Sequence, residues 1–360
     1  MDDVRYMRLA LSLGRRGLGQ TWPNPAVGCV IAKDDIIVGR GWTQLGGRPH
    51  AERVALEQAG DAARGATAYV TLEPCAHHGH TSPCAEALID AGIARVVCAT
   101  GDPDPRVAGR GFSLLRAAGI EVVEGLLGDE ARADLRGFLS RITQGRPMLT
   151  LKLATSLDGR IATASGESQW ITNPASRARV HGLRASHDAV IVGGGTARAD
   201  DPLLTVRGIK VARQPVRIVA ASTLDLPRER LAASLHEGPV WLFHTSQAPS
   251  EARAFWSGIG AELIEIEGPS PMSPTAILRA LGDRGLTRVF CEGGGEFAAS
   301  LLQAGLVDCL VSFTAGLVIG ADGRSGTGAM GLTRLSLAPR FHLADVEEID
   351  GDIMHTWIRT

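Results

Sequence analysis

Long apolar runs are missing from this 360-residue chain. Although 44% of its residues are hydrophobic, no stretch has the length and purity of a membrane span. An excess of charge of one sign is missing too. The formal net charge is −2 and aromatics are 4% of the residues. Basic residues are spread along the chain without an aromatic-interleaved cluster, so neither disorder nor a nucleic-acid surface is indicated. Six cysteines in so long a chain do not make a disulfide framework. Cys29, Cys98, Cys291 and Cys309 lie in apolar strand-like runs and read as core thiols. The first residues, Asp2, Asp3 and Arg5 ahead of Tyr6, Leu9, Ala10 and Leu13, pattern as an amphipathic helix rather than a signal peptide. A reducing cytoplasm fits. There is no P-loop, serine triad, internal repeat or low-complexity segment.

What is present divides into two halves, in line with a length that predicts two or three domains. Through about residue 145, strand-like runs (26–32, 36–42, 66–72, 95–100, 120–124) alternate with helical ones (50–59, 83–91, 111–118, 129–141). That alternation predicts helices on both faces of a sheet, an α/β layered domain. Gly145-Arg146-Pro147 interrupts it, and a strand-rich unit follows from 146 to 360.

The first half carries a metal pattern. His50-Ala51-Glu52, Pro74-Cys75 and Cys84 supply one imidazole and two thiolates. Structural zinc sites close with four protein ligands, whereas three leave a position for water. Glu52 is placed to move protons on and off that water, which suggests hydrolytic chemistry. Any one of these residues alone reads as ordinary: a helix-start histidine, a paired glutamate, core cysteines. Together they approach the H-x-E…P-C-x-x-C zinc deaminase pattern, with eight residues rather than two between the cysteines. Cys75 is expected where a strand ends and a helix begins. His77 and His78 read as solvent or substrate contacts more readily than as a second metal site.

In the second half, 149–156 alternates as a strand with Lys152 at its middle, one of three lysines in the chain. An edge-strand lysine discouraging aggregation and a lysine facing a cleft are both open. Val190-Ile191-Val192 runs into Gly193-Gly194-Gly195-Thr196, and 289–292 runs into Gly293-Gly294-Gly295. Neither matches G-x-G-x-x-G; tight turns and dinucleotide binding remain equal readings.

The stretch 75–84, Pro23-Asn24-Pro25-Ala26-Val27-Gly28, Gly101-Asp102-Pro103-Asp104-Pro105 and 107–111 together resemble the bifunctional riboflavin-biosynthesis deaminase-reductase family. So do Lys152-Leu153-Ala154, Ser156-Leu157-Asp158-Gly159-Arg160, Ser168-Gln169-Trp170-Ile171-Thr172, Gly195-Thr196 with 200–207, and Glu292-Gly293-Gly294. The resemblance implies a cytidine-deaminase-like three-layer domain over 1–145 and a dihydrofolate-reductase-like domain over 146–360. One zinc would be held by His50, Cys75 and Cys84, with Glu52 as proton shuttle and Asn24 lining the pyrimidine pocket. NADPH would be held by Ala154, Trp170, Thr196, Asp200, Ser222, Gly294 and Gly295. Ser168, Arg184, Leu204, Arg207 and Glu292 would contact a phosphoribosyl substrate, with Lys152 near the reacting sugar. Arginine forks suit a phosphate dianion. The implied partners are small pyrimidine ribosyl phosphates, with neither nucleic acid nor membrane, in a dimer or tetramer formed through the reductase domain. A nucleoside or nucleic-acid deaminase with an unrelated or inactive second domain is the alternative. Three departures stand out: His80 where Lys or Arg is usual, Ser82 in place of proline, and Ala220-Ala221-Ser222 where Asp is common.

Overall fold

The computed structural model describes residues 2–77 and 82–360. The chain separates into two compact units, Met1–Gly145 and Arg146–Thr360.

In the first unit the order is α1 (Asp3–Arg15), β1 (Gly28–Lys33), β2 (Ile36–Trp42), α2 (Ala51–Ala59), β3 (Thr67–Val70), α3 (Cys84–Asp90), β4 (Arg95–Cys98), α4 (Arg110–Ala117), β5 (Glu121–Glu124) and α5 (Gly128–Gln144). The sheet runs β2-β1-β3-β4-β5. β1 is antiparallel to β2 and β3, whereas β3, β4 and β5 are parallel. The two-residue period of a strand sends alternate side chains to opposite faces. Cys29, Ile31, Ala68, Val70 and Val96 therefore pack with α2 and α3 through Ala51, Ala55, Ala85 and Leu88. Val30, Ala32, Tyr69 and Val97 pack on the other face with Tyr6, Met7, Ala10 and Leu11 of α1. Helix–sheet–helix layering follows from that alternation. Gly39 and Gly41 let α2 lie against β2, because a Cβ there would come within 2.2 Å of the Ala55 and Ala51 carbonyls.

The second unit contains β6 (Met148–Ser156), β7 (Arg160–Ala162), α6 (Pro174–Ala185), β8 (Ala189–Gly193), α7 (Gly194–Asp200), β9 (Val216–Ala220), α8 (Arg230–Ala233), β10 (Val240–His244), α9 (Ser250–Gly258), β11 (Glu262–Glu265), α10 (Pro274–Asp283), β12 (Arg288–Cys291), α11 (Gly295–Gln303), β13 (Cys309–Ala315), β14 (Arg324–Ser325), β15 (Phe341–Ile349) and β16 (Asp352–Arg359). Nine strands form one sheet, β11-β10-β9-β8-β12-β6-β13-β16-β15. It is parallel from β11 to β13 and antiparallel across the final hairpin. Val190, Val192, Val219, Leu242, Phe290, Val311 and Trp256 join in its core.

β6 lies between β12 and β13, with Lys152 opposite Val311. The edge-strand reading of Lys152 is therefore corrected: the lysine sits on an interior strand, where no open edge needs protection. No helix among the described residues is long and apolar enough to cross a membrane.

Candidate active sites

His50 is the N-cap of α2, and Glu52 lies in its first turn, 4% exposed. Cys84 is the first residue of α3. Cys75 instead sits in the irregular segment after β3, so the helix start expected there belongs to Cys84. The backbone explains this, because Pro74 removes a donor and the Cys84 N–H bonds to Cys75 Sγ at 3.3 Å. His50 Nδ1 lies 3.6 Å from Cys75 Sγ and 3.4 Å from Cys84 Sγ. All three donor atoms fall within 4.8 Å of one another. Tetrahedral zinc, with Zn–S of about 2.3 Å and Zn–N of about 2.0–2.1 Å, requires an N···S edge of about 3.6 Å. The donor set fits zinc.

The electrostatics agree. The Cys84 thiol and the His50 ring hold the Cys75 thiol down to about 4, and the helix N-terminus of α3 favours a thiolate. Burial pushes the Glu52 carboxyl up to about 7, with His50 pulling it down and Cys75 pushing it further up. A carboxyl in that range can both take and give a proton near neutral pH. Asn24 donates its Nδ2 to Gly47 O at 2.8 Å, which ties the segment before β1 to the turn leading into His50. His77 Nδ1 is buried with no hydrogen-bond partner among the described residues. His78 and His80 lie outside the described residues. Ser82 accepts a bond from Arg53 Nη2 at its carbonyl, 2.9 Å away.

In the second unit Arg184 of α6 grips Glu292 just past β12. Its Nε donates to Oε1 and its Nη2 to Oε2 at 2.9 Å, while Nη1 reaches Thr205 O at 2.7 Å. Lys152 and Arg207 feel both charges. Burial lowers the Lys152 pKa, Arg184 lowers it further, and Glu292 and Asp200 oppose. Leu204 is 1% exposed at φ +56°. His181, one turn before Arg184, accepts the Arg207 N–H at 3.2 Å. Sequence reasoning passed over His181, although its three-residue spacing from Arg184 puts both on one helix face. Ser168 and Trp170 lie in the loop between β7 and α6. Trp170 is 66% exposed, with the Arg177 guanidinium 4.5 Å from its ring.

Both glycine tracts are strand-to-helix transitions. Gly193 caps α7 and Gly294, at φ +66°, caps α11. A Cβ on Gly293 would lie 3.1 Å from Gly193 N, and one on Gly294 would lie 2.8 Å from Thr196 Oγ1. The two tracts thus meet as closely packed backbone at two helix starts, an arrangement suited to phosphate oxygens and so to a dinucleotide. Ala154 is a half-buried residue of β6. Ser222 is committed to its own unit: its carbonyl accepts from Thr245 and its hydroxyl from Ser270.

A His-Cys-Cys zinc site with a buried glutamate on a layered α/β unit, followed by a parallel-sheet unit with a glycine cradle, defines a zinc deaminase joined to a nucleotide-dependent reductase. Comparisons with known proteins agree. Residues 1–100 match the family described as the cytidine and deoxycytidylate deaminase zinc-binding region, and residues 147–355 match the RibD C-terminal domain. The Escherichia coli riboflavin biosynthesis protein RibD is 43% identical over 98% of both chains. The Haemophilus influenzae protein of the same name is 43% identical over 99% of this chain and 97% of its own. An Acinetobacter baumannii RibD structure superposes with a TM-score of 0.88 at 40% identity, covering 99% of each chain. A Thermotoga maritima diaminohydroxyphosphoribosylaminopyrimidine deaminase/5-amino-6-(5-phosphoribosylamino)uracil reductase gives 0.87 at 35%, with the same coverage. The chain belongs to the RibD family of bifunctional deaminase/reductases of riboflavin biosynthesis, which use zinc and NADPH. The cytidine-deaminase-like and dihydrofolate-reductase-like folds expected from the sequence are those observed.

Proposed function

We propose that the unit over 1–145 hydrolytically deaminates 2,5-diamino-6-ribosylamino-4(3H)-pyrimidinone 5′-phosphate. The unit over 146–360 then reduces the ribosyl chain of the resulting aminouracil to ribityl. The observation that carries this reading is the His50–Cys75–Cys84 donor triangle with Glu52 buried beside it. Zinc bound there supplies Lewis acidity that brings a water's pKa from 15.7 towards about 7. Glu52 holds the proton: it takes one from the attacking water and delivers it to the exocyclic nitrogen. The nitrogen's bond to the ring carbon breaks, and ammonia leaves. Asn24, fixed through Gly47, orients the pyrimidine edge. The placement of Gly47, its hydrogen-bond partner, three residues ahead of the His50 cap supports that role.

In the second unit NADPH, when bound, would supply the hydride that C1′ of the sugar gains as its bond to O4′ breaks, leaving O4′ to take a proton. Lys152, with a pKa drawn below the usual lysine range, supplies the accompanying proton. Arg184 and Glu292 brace one another beside it. Together with Ser168, Arg207 and the Leu204 backbone they receive the phosphoribosyl group. Ala154, Trp170, Thr196, Asp200, Ser222 and the Gly294–Gly295 turn receive the dinucleotide. Two further readings accompany this one. Thiolate ligation by Cys75 and Cys84 needs a reducing compartment, so the enzyme is cytoplasmic, which cell fractionation would check. The open edge strand β15, with Leu343 50% and Val346 55% exposed, supports a dimer or tetramer through the reductase unit, which sedimentation equilibrium would check.

Chelation separates the two sites. Stripping zinc from the full chain abolishes ammonia release and leaves NADPH oxidation on the pre-deaminated aminouracil ribosyl phosphate intact. Loss of both activities, or of neither, contradicts the assignment.

A further inference from the structure

Glu73 has demanding surroundings that the chemistry above leaves unused. It is 4% exposed, and its hydrogen-bond partners are three backbone N–H groups. Gly111 N donates to Oε1 at 3.0 Å; Gly109 N and Asp102 N donate to Oε2 at 3.0 and 3.2 Å. Bonds to an ionised acceptor are roughly twice as strong as neutral ones, and losing any one of them would strand a buried polar group. All three donors belong to the segment between β4 and the first turn of α4, whereas Glu73 stands two residues before Cys75.

The contact is reciprocal and close. Glu73 N donates to Thr100 O at 2.9 Å, and a Cβ on Gly111 would lie 2.1 Å from Pro74 O. The Glu73–Pro74 flank of the Cys75 ligand therefore packs on one segment, residues 101–111. β3 and β4 are parallel neighbours, so that segment and the Cys75 loop leave the sheet at the same end.

We propose that Glu73 is a positioning residue of the deaminase: its carboxylate locks the 101–111 segment against the Cys75 loop, so that the wall beside the metal ligands is held in the geometry that receives the pyrimidine. The inference rests on the deaminase reading. A role confined to holding the metal would appear as lost zinc and lost turnover, whereas positioning appears in KM.

The test is Glu73→Gln in the full-length zinc-loaded chain. The amide keeps one acceptor oxygen but turns an NH2 onto a backbone N–H, donor against donor, so at least one of the three contacts is lost. Ammonia release from the diaminopyrimidinone ribosyl phosphate should show KM raised about tenfold or more with kcat within about threefold, since small misplacements carry large kinetic penalties. Zinc should remain at one per chain, and NADPH oxidation on the deaminated substrate, the internal control for folding, should be unchanged. An unchanged KM overturns the proposal, whether kcat is intact or falls with loss of zinc. Should the variant fail to fold, hydrogen exchange of the wild-type chain decides. The Asp102, Gly109 and Gly111 amides must exchange as slowly as those of β4, and exchange at exposed-loop rates overturns the proposal. Absence of ammonia release by the wild-type chain would instead sink the deaminase reading, an outcome separate from all of these.

Discussion

Arg184→Leu separates bracing from anchoring in the reductase unit. The Arg184 and Glu292 side chains are 11% and 12% exposed, so solvent screens their bidentate contact little. Burial alone would push the Glu292 carboxyl up; Arg184 and Lys152 instead hold it below its ordinary value. Removing the guanidinium leaves a buried carboxylate with no direct ion pair, eased only by the charges of Lys152, Arg207 and His181 nearby, and strips a donor from Thr205 O. Breaking one side of a buried pair costs about 3–5 kcal/mol, and the remaining Lys152 charge argues for the lower end. For a unit of this size each kcal/mol moves the midpoint by about 2–4 °C, so about 3 kcal/mol lowers Tm by roughly 6–12 °C. Calorimetry should show that shift in the transition of the Arg146–Thr360 unit, while ammonia release from the other unit is unaffected at permissive temperature. An arginine that only anchors a phosphate would raise KM with Tm moved by less than about 2 °C. That result would refute the bracing argument.

Lys152→Ala should lower NADPH-oxidation turnover by about 10²–10⁴-fold, the usual contribution of a positioned proton donor; unchanged turnover in a steady-state assay removes the lysine from the chemistry. His187 is 3% exposed, with Nδ1 2.7 Å from Leu183 O and Nε2 2.9 Å from Thr150 Oγ1. A carbonyl only accepts, so Nδ1 carries the proton and Thr150 donates to Nε2. Burial pushes this imidazole down to about 3. The unfolded chain therefore binds a proton that the folded chain refuses between about pH 6.5 and 3, and stability falls across that window by up to about 1.4 kcal/mol per pH unit. The His187 ring resonance should not titrate between pH 8 and 5, and a midpoint near 6.5 would contradict the assignment.

The strands β1, β3 and β4 were readable as short apolar runs because both of their faces are covered by helices, and their alternation with helical stretches placed the elements of the first unit. His50, Glu52, Cys75 and Cys84 were readable as a set because ligand chemistry restricts residue type. What escaped were contacts between partners distant in sequence. The 108 residues separating Arg184 from Glu292 hide a buried pair behind two residues that each read as a substrate contact. Glu73 carried no signal in the sequence, because its three partners are backbone groups that carry no residue signature. Lys152 could not be placed on an interior strand until the sheet order put β12 and β13 on either side of it.

The central claim is that one chain deaminates and then reduces the same ribosyl phosphate. Its most direct test follows ammonia and NADPH together in the full-length protein supplied with the diaminopyrimidinone ribosyl phosphate. Without NADPH, ammonia should be released and the aminouracil ribosyl phosphate should accumulate. On adding NADPH, that intermediate should disappear with one NADPH oxidised per molecule and the ribityl product formed. Ammonia release with no NADPH oxidation, or NADPH oxidation that does not consume the accumulated intermediate, would contradict the account.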